Sequence, residues 1–217
     1  MIKSCEKTAA ALPAPEEIRT PAEGVCPVDW ALRVTEMARE ELCGKGTLCR
    51  DGITQLWRII DDIARGKGRT DDLDVLEDIC RAIRIAGDCE LAVGCAACVA
   101  ASVECHGEVW NAHISRRKCD ALACRGCYTV HVDAAKCTGC GACASACPEG
   151  CIAGGPGLIH VVDSESCTRC GACFEACAAG AVIKAGAVKP RCPAEPVPVG
   201  SFASGGTVRR RRRGHGE

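Results

Sequence analysis

Aromatic residues make up only 3% of this 217-residue chain: one Tyr, two Phe and three Trp, beside two Met. That scarcity excludes a large core of stacked rings, and it argues against an aromatic platform for nucleic-acid bases. No run of about 18 consecutive apolar residues occurs, so no membrane-spanning helix is expected. Met1 to Lys7 lead into no apolar core of the length a secretory leader needs, and the chain is expected to be cytoplasmic. A G-x-G-x-x-G run following a strand is missing as well, which removes the usual mark of dinucleotide binding. No nucleophile–base constellation stands out, so a catalyst acting alone is not expected.

What the chain has in excess is cysteine, 22 residues. In a reducing compartment that density points to metal binding rather than to disulfides. Charge is distributed in blocks. Residues 28–115 carry ten basic and sixteen acidic groups, residues 116–127 are basic, and the tail ends in Arg209–Arg213. These shifts divide the chain into an extended Pro-containing arm (1–27), a helical segment (28–115), a basic Cys-containing linker (116–131), a β-like and Gly/Cys-rich segment (132–186) and a flexible basic tail (187–217).

In the helical segment Ile53, Leu56, Trp57, Ile60, Ile63 and Ala64 share one face of a helix, and Leu73, Leu76, Ile79, Cys80 and Ile83 repeat the pattern. Asp71, Asp72 and Asp74 lie early in that second helix and Arg81 and Arg84 late, an order that complements the helix dipole. Helices near 28–42 and 93–114 complete four, and short connections favour an antiparallel bundle. Farther on, 128–132 and 158–162 read as short strands. The same offset of 30 residues relates 137–153 to 167–183, where 9 of 17 positions are identical, so this part is an internal duplication.

Each copy contains C-x2-C-x2-C-x3-C: Cys137, Cys140, Cys143 and Cys147, then Cys167, Cys170, Cys173 and Cys177. This is the two-cluster bacterial ferredoxin pattern, in which the fourth cysteine of each run serves the other cluster. Three thiolates on one tight loop cover three corners of a cubane, and the fourth starts a helix that leads away. Cys137, Cys140, Cys143 and Cys177 are therefore expected to hold one 4Fe–4S cluster, and Cys167, Cys170, Cys173 and Cys147 the second. Zinc knuckles would instead use separated pairs. Pro148 follows the first run, whereas Ala178 follows the second. Cys151 lies outside both ligand sets and reads as a small buried hydrophobe.

Glu41 to Gly52, ELCGKGTLCRDG, resembles the ESCGKCTPCREG motif of the flavin- and NADH-binding subunit of respiratory complex I and of NAD-linked hydrogenases and formate dehydrogenases. The resemblance covers roughly residues 28–185, without the flavin and NADH domains. It implies a four-helix module holding a 4Fe–4S cluster through C-x2-C-x2-C and a later cysteine. Cys43, Cys49 and Cys89 match that set, and Glu108 and His113 fall where the family has a Glu and a His. Gly46 replaces the middle ligand. Either that cluster is absent or another thiol substitutes, with Cys80, Cys95 and Cys98 as candidates. Family members of the hydrogenase type continue with C-x4-C and a two-cluster ferredoxin, as Cys119, Cys124 and the duplicated runs do here. His113, Cys119 and Cys124, with Cys127 or Cys105 nearby, form a candidate zinc set, weighed against free thiols.

The resulting expectation is an α+β protein, an N-terminal four-helix bundle followed by a bacterial-type 2(4Fe–4S) ferredoxin domain. It would act as an accessory iron–sulfur electron-transfer subunit serving a flavin/NAD-binding, hydrogenase-type or formate dehydrogenase-type partner. A free-standing ferredoxin with a docking bundle is the alternative. A nucleic-acid-binding sensor using Arg209–Arg213 is a further one, disfavoured by the lack of stacking aromatics.

Overall fold

The computed structural model describes residues 12–202, and the chain divides into two units at Tyr128/Thr129. In the first unit four helices share one core: α1 (Pro27–Glu41), α2 (Ile53–Ala64), α3 (Asp72–Ala86) and α4 (Glu90–Arg116). The apolar stripe of α2 accounts for its burial, since Ile53, Leu56, Ile60 and Ile63 are fully enclosed. Each such side chain contributes about 1.5–3 kcal/mol. Helix α4 packs against both α1 and α3, and α1 also packs on α2. The buried residues of α4 are mostly small, Ala92, Cys95, Ala96, Cys98, Val99 and Ser102, so neighbours can approach on several sides. Its backbone leaves helical geometry at His106, whose Nε2 meets the carbonyl of Ile18. Two buried polar groups of α4 satisfy each other: Trp110 Nε1 donates to Ser102 Oγ, which donates to the Pro27 carbonyl.

Two expectations about the flanks change. Residues 12–27 are not extended throughout. Pro15–Ile18 forms a turn of 3-10 helix, and Ile18 and Cys26 are buried. Nor is 116–131 a separate linker, because Cys119, Cys124 and Cys127 belong to the core of the helical unit. Gly126 explains how that segment lies so close: a Cβ there would fall 2.0–2.4 Å from the backbone of Arg65 and Gly66.

The second unit holds β1 (Thr129–Val132), α5 (Ala142–Ser145), β2 (Ile152–Ala153), β3 (Val161–Val162), α6 (Ala172–Ala176) and β4 (Val182–Ala185). β1 pairs antiparallel with β4, Thr129 opposite Ala185, and β2 with β3, Ile152 opposite Val162. By the offset of 30, β3 is the copy of β1 and β4 the copy of β2. Each sheet therefore joins a strand of one copy to a strand of the other. The strand expected at 158–162 is shorter, because Ile159 N–H donates to Val197 and Leu158 bridges to Pro198. Part of the expected tail thus straps this unit, while Arg209–Arg213 lies outside the described residues. Among the described residues no helix is long and apolar enough to cross a membrane.

Candidate metal centres

The ends of three helical segments meet at the first thiol group. Cys43 follows α1, Cys49 sits in a π-turn that leads into α2 (Leu48–Gly52), and Cys89 is the N-cap of α4. Their sulfurs all lie within 4.8 Å of one another. Burial pushes the Cys49 thiol up to about 12, with help from Cys89 and Cys43. The start of α4 supplies partial positive charge at Cys89, which favours a thiolate once a cation is present. A Cβ built on Gly46 would meet only the Cys49 Cβ, at 3.7 Å, so the missing fourth position is open space rather than filled core. Cys80, Cys95 and Cys98 are buried and adjoin one another instead, and Cys98 donates to the Pro13 carbonyl. None of the three joins the Cys43 group among the described residues.

The second group is complete. Cys26, His113, Cys119 and Cys124 are all buried, and their donor atoms lie within 4.8 Å of one another. Cys26 Sγ is 3.4 Å from His113 Nε2 and 3.7 Å from Cys124 Sγ. Thiolates at about 2.3 Å from a tetrahedral zinc stand about 3.8 Å apart, so the spacing suits that ion. His113 is oriented for it: Nδ1–H donates to the Val109 carbonyl at 2.8 Å and leaves Nε2 facing the sulfurs. Burial pulls His113 down, but hydrogen bonds to Cys119 and Cys26 hold it up at about 10. Hydrogen bonds from Cys124 and Cys26 hold Cys119 well below the usual thiol range, and Cys124 is pushed up in exchange. The group shares protons that a cation would replace. Sequence spacing missed Cys26, 87 residues before His113. Of the two neighbours that spacing suggested, Cys105 is exposed beside Arg19, and Cys127 is outside the group.

In the second unit Gly141 and Gly171, with φ of 80° and 97°, turn each cysteine loop into its short helix, α5 or α6, and these two helices pack together. Cys147, from the first run, lines one cavity with Cys167, Cys170 and Cys173 of the second. Cys143 correspondingly has Cys177 and Cys137 as neighbours. The exchange of strands between copies is what carries each fourth cysteine across. Backbone donors converge on these sulfurs: Ala181 N–H donates to Cys177 Sγ at 3.3 Å, and a hydrogen bond from the Ala142 backbone lowers the Cys140 thiol. Cys151 lines the same cavity as Cys147, 3.4 Å from its sulfur, and burial pushes it up to about 12. It remains an S–H that can donate to the Cys147 thiolate. Eight soft donors on two short loops, with small neighbours and inward N–H groups, fit two 4Fe–4S clusters. The Cys43 group fits such a cluster at three corners of four.

Comparison with known proteins agrees with this geometry. Residues 29–113 match the family model for the NADH-ubiquinone oxidoreductase-F iron-sulfur binding region, and residues 129–178 match a 4Fe-4S dicluster domain. The chain is 36% identical over 132 residues to the NADP-reducing hydrogenase subunit HndC of Solidesulfovibrio fructosivorans, a match over 61% of this chain and 27% of that protein. It is 38% identical over 97 residues to the F-type component of the NADH-quinone oxidoreductase of Streptomyces coelicolor, covering 45% and 22%. The chain thus spans about a quarter of the length of these relatives. A crystal structure of an NAD+-reducing NiFe-hydrogenase aligns over 42% of this chain and 16% of its own, at 23% identity and a TM-score of 0.40. Both matched regions are iron–sulfur domains, and their chemistry is electron transfer.

Proposed function

We propose, on the premise that residues 29–113 and 129–178 are two iron–sulfur domains joined in one chain, that this protein relays electrons as an accessory subunit. Its partner would be a flavin/NAD-binding, hydrogenase-type or formate dehydrogenase-type subunit, with a second carrier beyond. The observation that carries the reading is the crossed quartet, Cys147 in one cavity with Cys167, Cys170 and Cys173. Two clusters on one small frame do the work of a relay. The clusters are held by Cys137, Cys140, Cys143 and Cys177, and by Cys167, Cys170, Cys173 and Cys147.

The helical unit is read as a four-helix bundle that carries two further metal centres. Cys26, His113, Cys119 and Cys124 hold a structural zinc, which ties the chain before α1 to the segment after α4. Cys43, Cys49 and Cys89 hold a third cluster with one iron that no other described residue ligates. Anaerobic affinity purification from the native cells tests the assignment. Larger flavin- or hydrogenase-type polypeptides should copurify, with iron and sulfide in the isolated chain. An iron-loaded chain that purifies alone and exchanges electrons with soluble enzymes would make it a free-standing ferredoxin instead.

A further inference from the structure

The two ferredoxin copies are alike in backbone and cysteines, so the residues that differ between them at matching places are informative. With an offset of 30, Val130 of the first copy matches His160 of the second. Val130 is buried and lines the cavity of Cys147, Cys167, Cys170 and Cys173. Its counterpart faces the other quartet: His160 is 2% exposed, and its Nδ1 lies 3.8 Å from Cys137 Sγ. A hydrocarbon wall at one centre is thus an imidazole at the other.

The ring is held in place. Gly154 has φ of 153°, and a Cβ there would fall 2.5 Å from His160 Cδ2, so the chain keeps that position clear for the imidazole. Nε2 is buried and has no hydrogen-bond partner among the described residues. A buried ring with one nitrogen unsatisfied costs stability, and His160 bears that cost where its other nitrogen meets a cluster ligand. A thiolate bound to iron has no proton to give. The Nδ1 atom must therefore carry the hydrogen, and the bond runs from Nδ1–H to Cys137 Sγ.

We infer that His160 is a positioning residue for electron transfer: its Nδ1–H donates to Cys137 and raises the reduction potential of the cluster on Cys137, Cys140, Cys143 and Cys177. Reduction adds negative charge to cluster and ligands, so a donor to sulfur stabilises the reduced form more than the oxidised one. Val130 supplies no such donor to the other cluster. The inference rests on the proposed binding of clusters by this unit.

The test is a redox titration of the full-length chain, followed by electron paramagnetic resonance, with iron and sulfide measured on every sample. His160→Val should lower the potential of one cluster only, its equilibrium constant for reduction falling about tenfold, or about 59 mV for one electron. His160→Asn returns an N–H near the position of Nδ1 and should recover most of the shift. In the unmodified chain, labelling histidine with nitrogen-15 should produce a hyperfine coupling in the spectrum of the reduced first cluster. Unchanged potentials in a fully loaded His160→Val variant would overturn the inference. If that variant loses its cluster, absence of the nitrogen coupling in the unmodified chain does so. Lack of iron and sulfide in the unmodified chain overturns the cluster assignment itself, and the inference with it.

Discussion

Replacing Cys26 by Ser keeps the volume of the side chain and removes one soft donor from a group whose neighbours lie at 3.4 and 3.7 Å. Structural zinc sites carry apparent binding free energies of about 10–16 kcal/mol. Shared over four donors, that is about 3 kcal/mol each, or on the order of a hundredfold in affinity per ligand lost. Cys26→Ser should therefore weaken zinc by about a hundredfold, measured by competition with a chromophoric chelator, while Cys105→Ser, at an exposed thiol outside the group, should leave it unchanged. Thermal unfolding adds a second readout. Chelation should lower the midpoint of the unmodified chain and move the Cys26→Ser chain much less, because its site is already weakened. Zinc affinity equal in the Cys26→Ser and unmodified chains, or no bound zinc in the unmodified chain, would refute the four-ligand reasoning.

Three further outcomes are expected. The ferredoxin unit alone should contribute about eight iron atoms per chain, and a fully reconstituted sample with four or fewer would contradict two clusters. Arg169 stands where the first copy has Gly139, lines the cavity of the second quartet and has a φ of 58°, so Arg169→Gly relieves backbone strain while removing a cation. Only the potential of the Cys167-side cluster should fall in that variant, and a titration with both potentials unchanged would defeat the charge argument. Gly46→Cys has room for its Cβ and should raise iron toward about twelve atoms by completing a third four-iron site. Its control is Cys43→Ser, which should lose iron; no loss there and no gain at residue 46, in folded samples, would leave the helical unit without a cluster.

The four helices were legible because their apolar residues recur with the helical period, and α1 to α4 fall close to the expected spans. Cysteine spacing likewise led to the expectation of a crossed pairing, and the cavity that Cys147 lines with Cys167, Cys170 and Cys173 supports it. What escaped the sequence depends on distance along the chain. Cys26 lies in a Pro-containing stretch that reads as an arm, and only the packing of α1 on α4 brings it to His113. Cys105 and Cys127 are nearer in sequence, yet neither lies in the group. The strand expected at 158–162 shortened because Ile159 and Leu158 pair with residues 197–198, a partner that strand propensity does not encode. His160 carried a signal only in comparison with Val130, through the internal repeat.

Two of the cysteines in these groups are also where helices begin. Cys26 is the N-cap of α1 and Cys89 the N-cap of α4, and neither start has a hydrogen bond from the capping side chain. An ordinary Ser or Asp cap would hold the first free N–H groups whatever else the protein had bound. Here the task of fixing the first turn passes to whatever holds the sulfur. A chain short of metal should then fray at both starts, and amide exchange near residues 28–30 and 90–93 would report loading before any metal is counted. The same fraying would expose backbone to proteases, so a chain lacking metal should be cut at these two helix starts sooner than a loaded one.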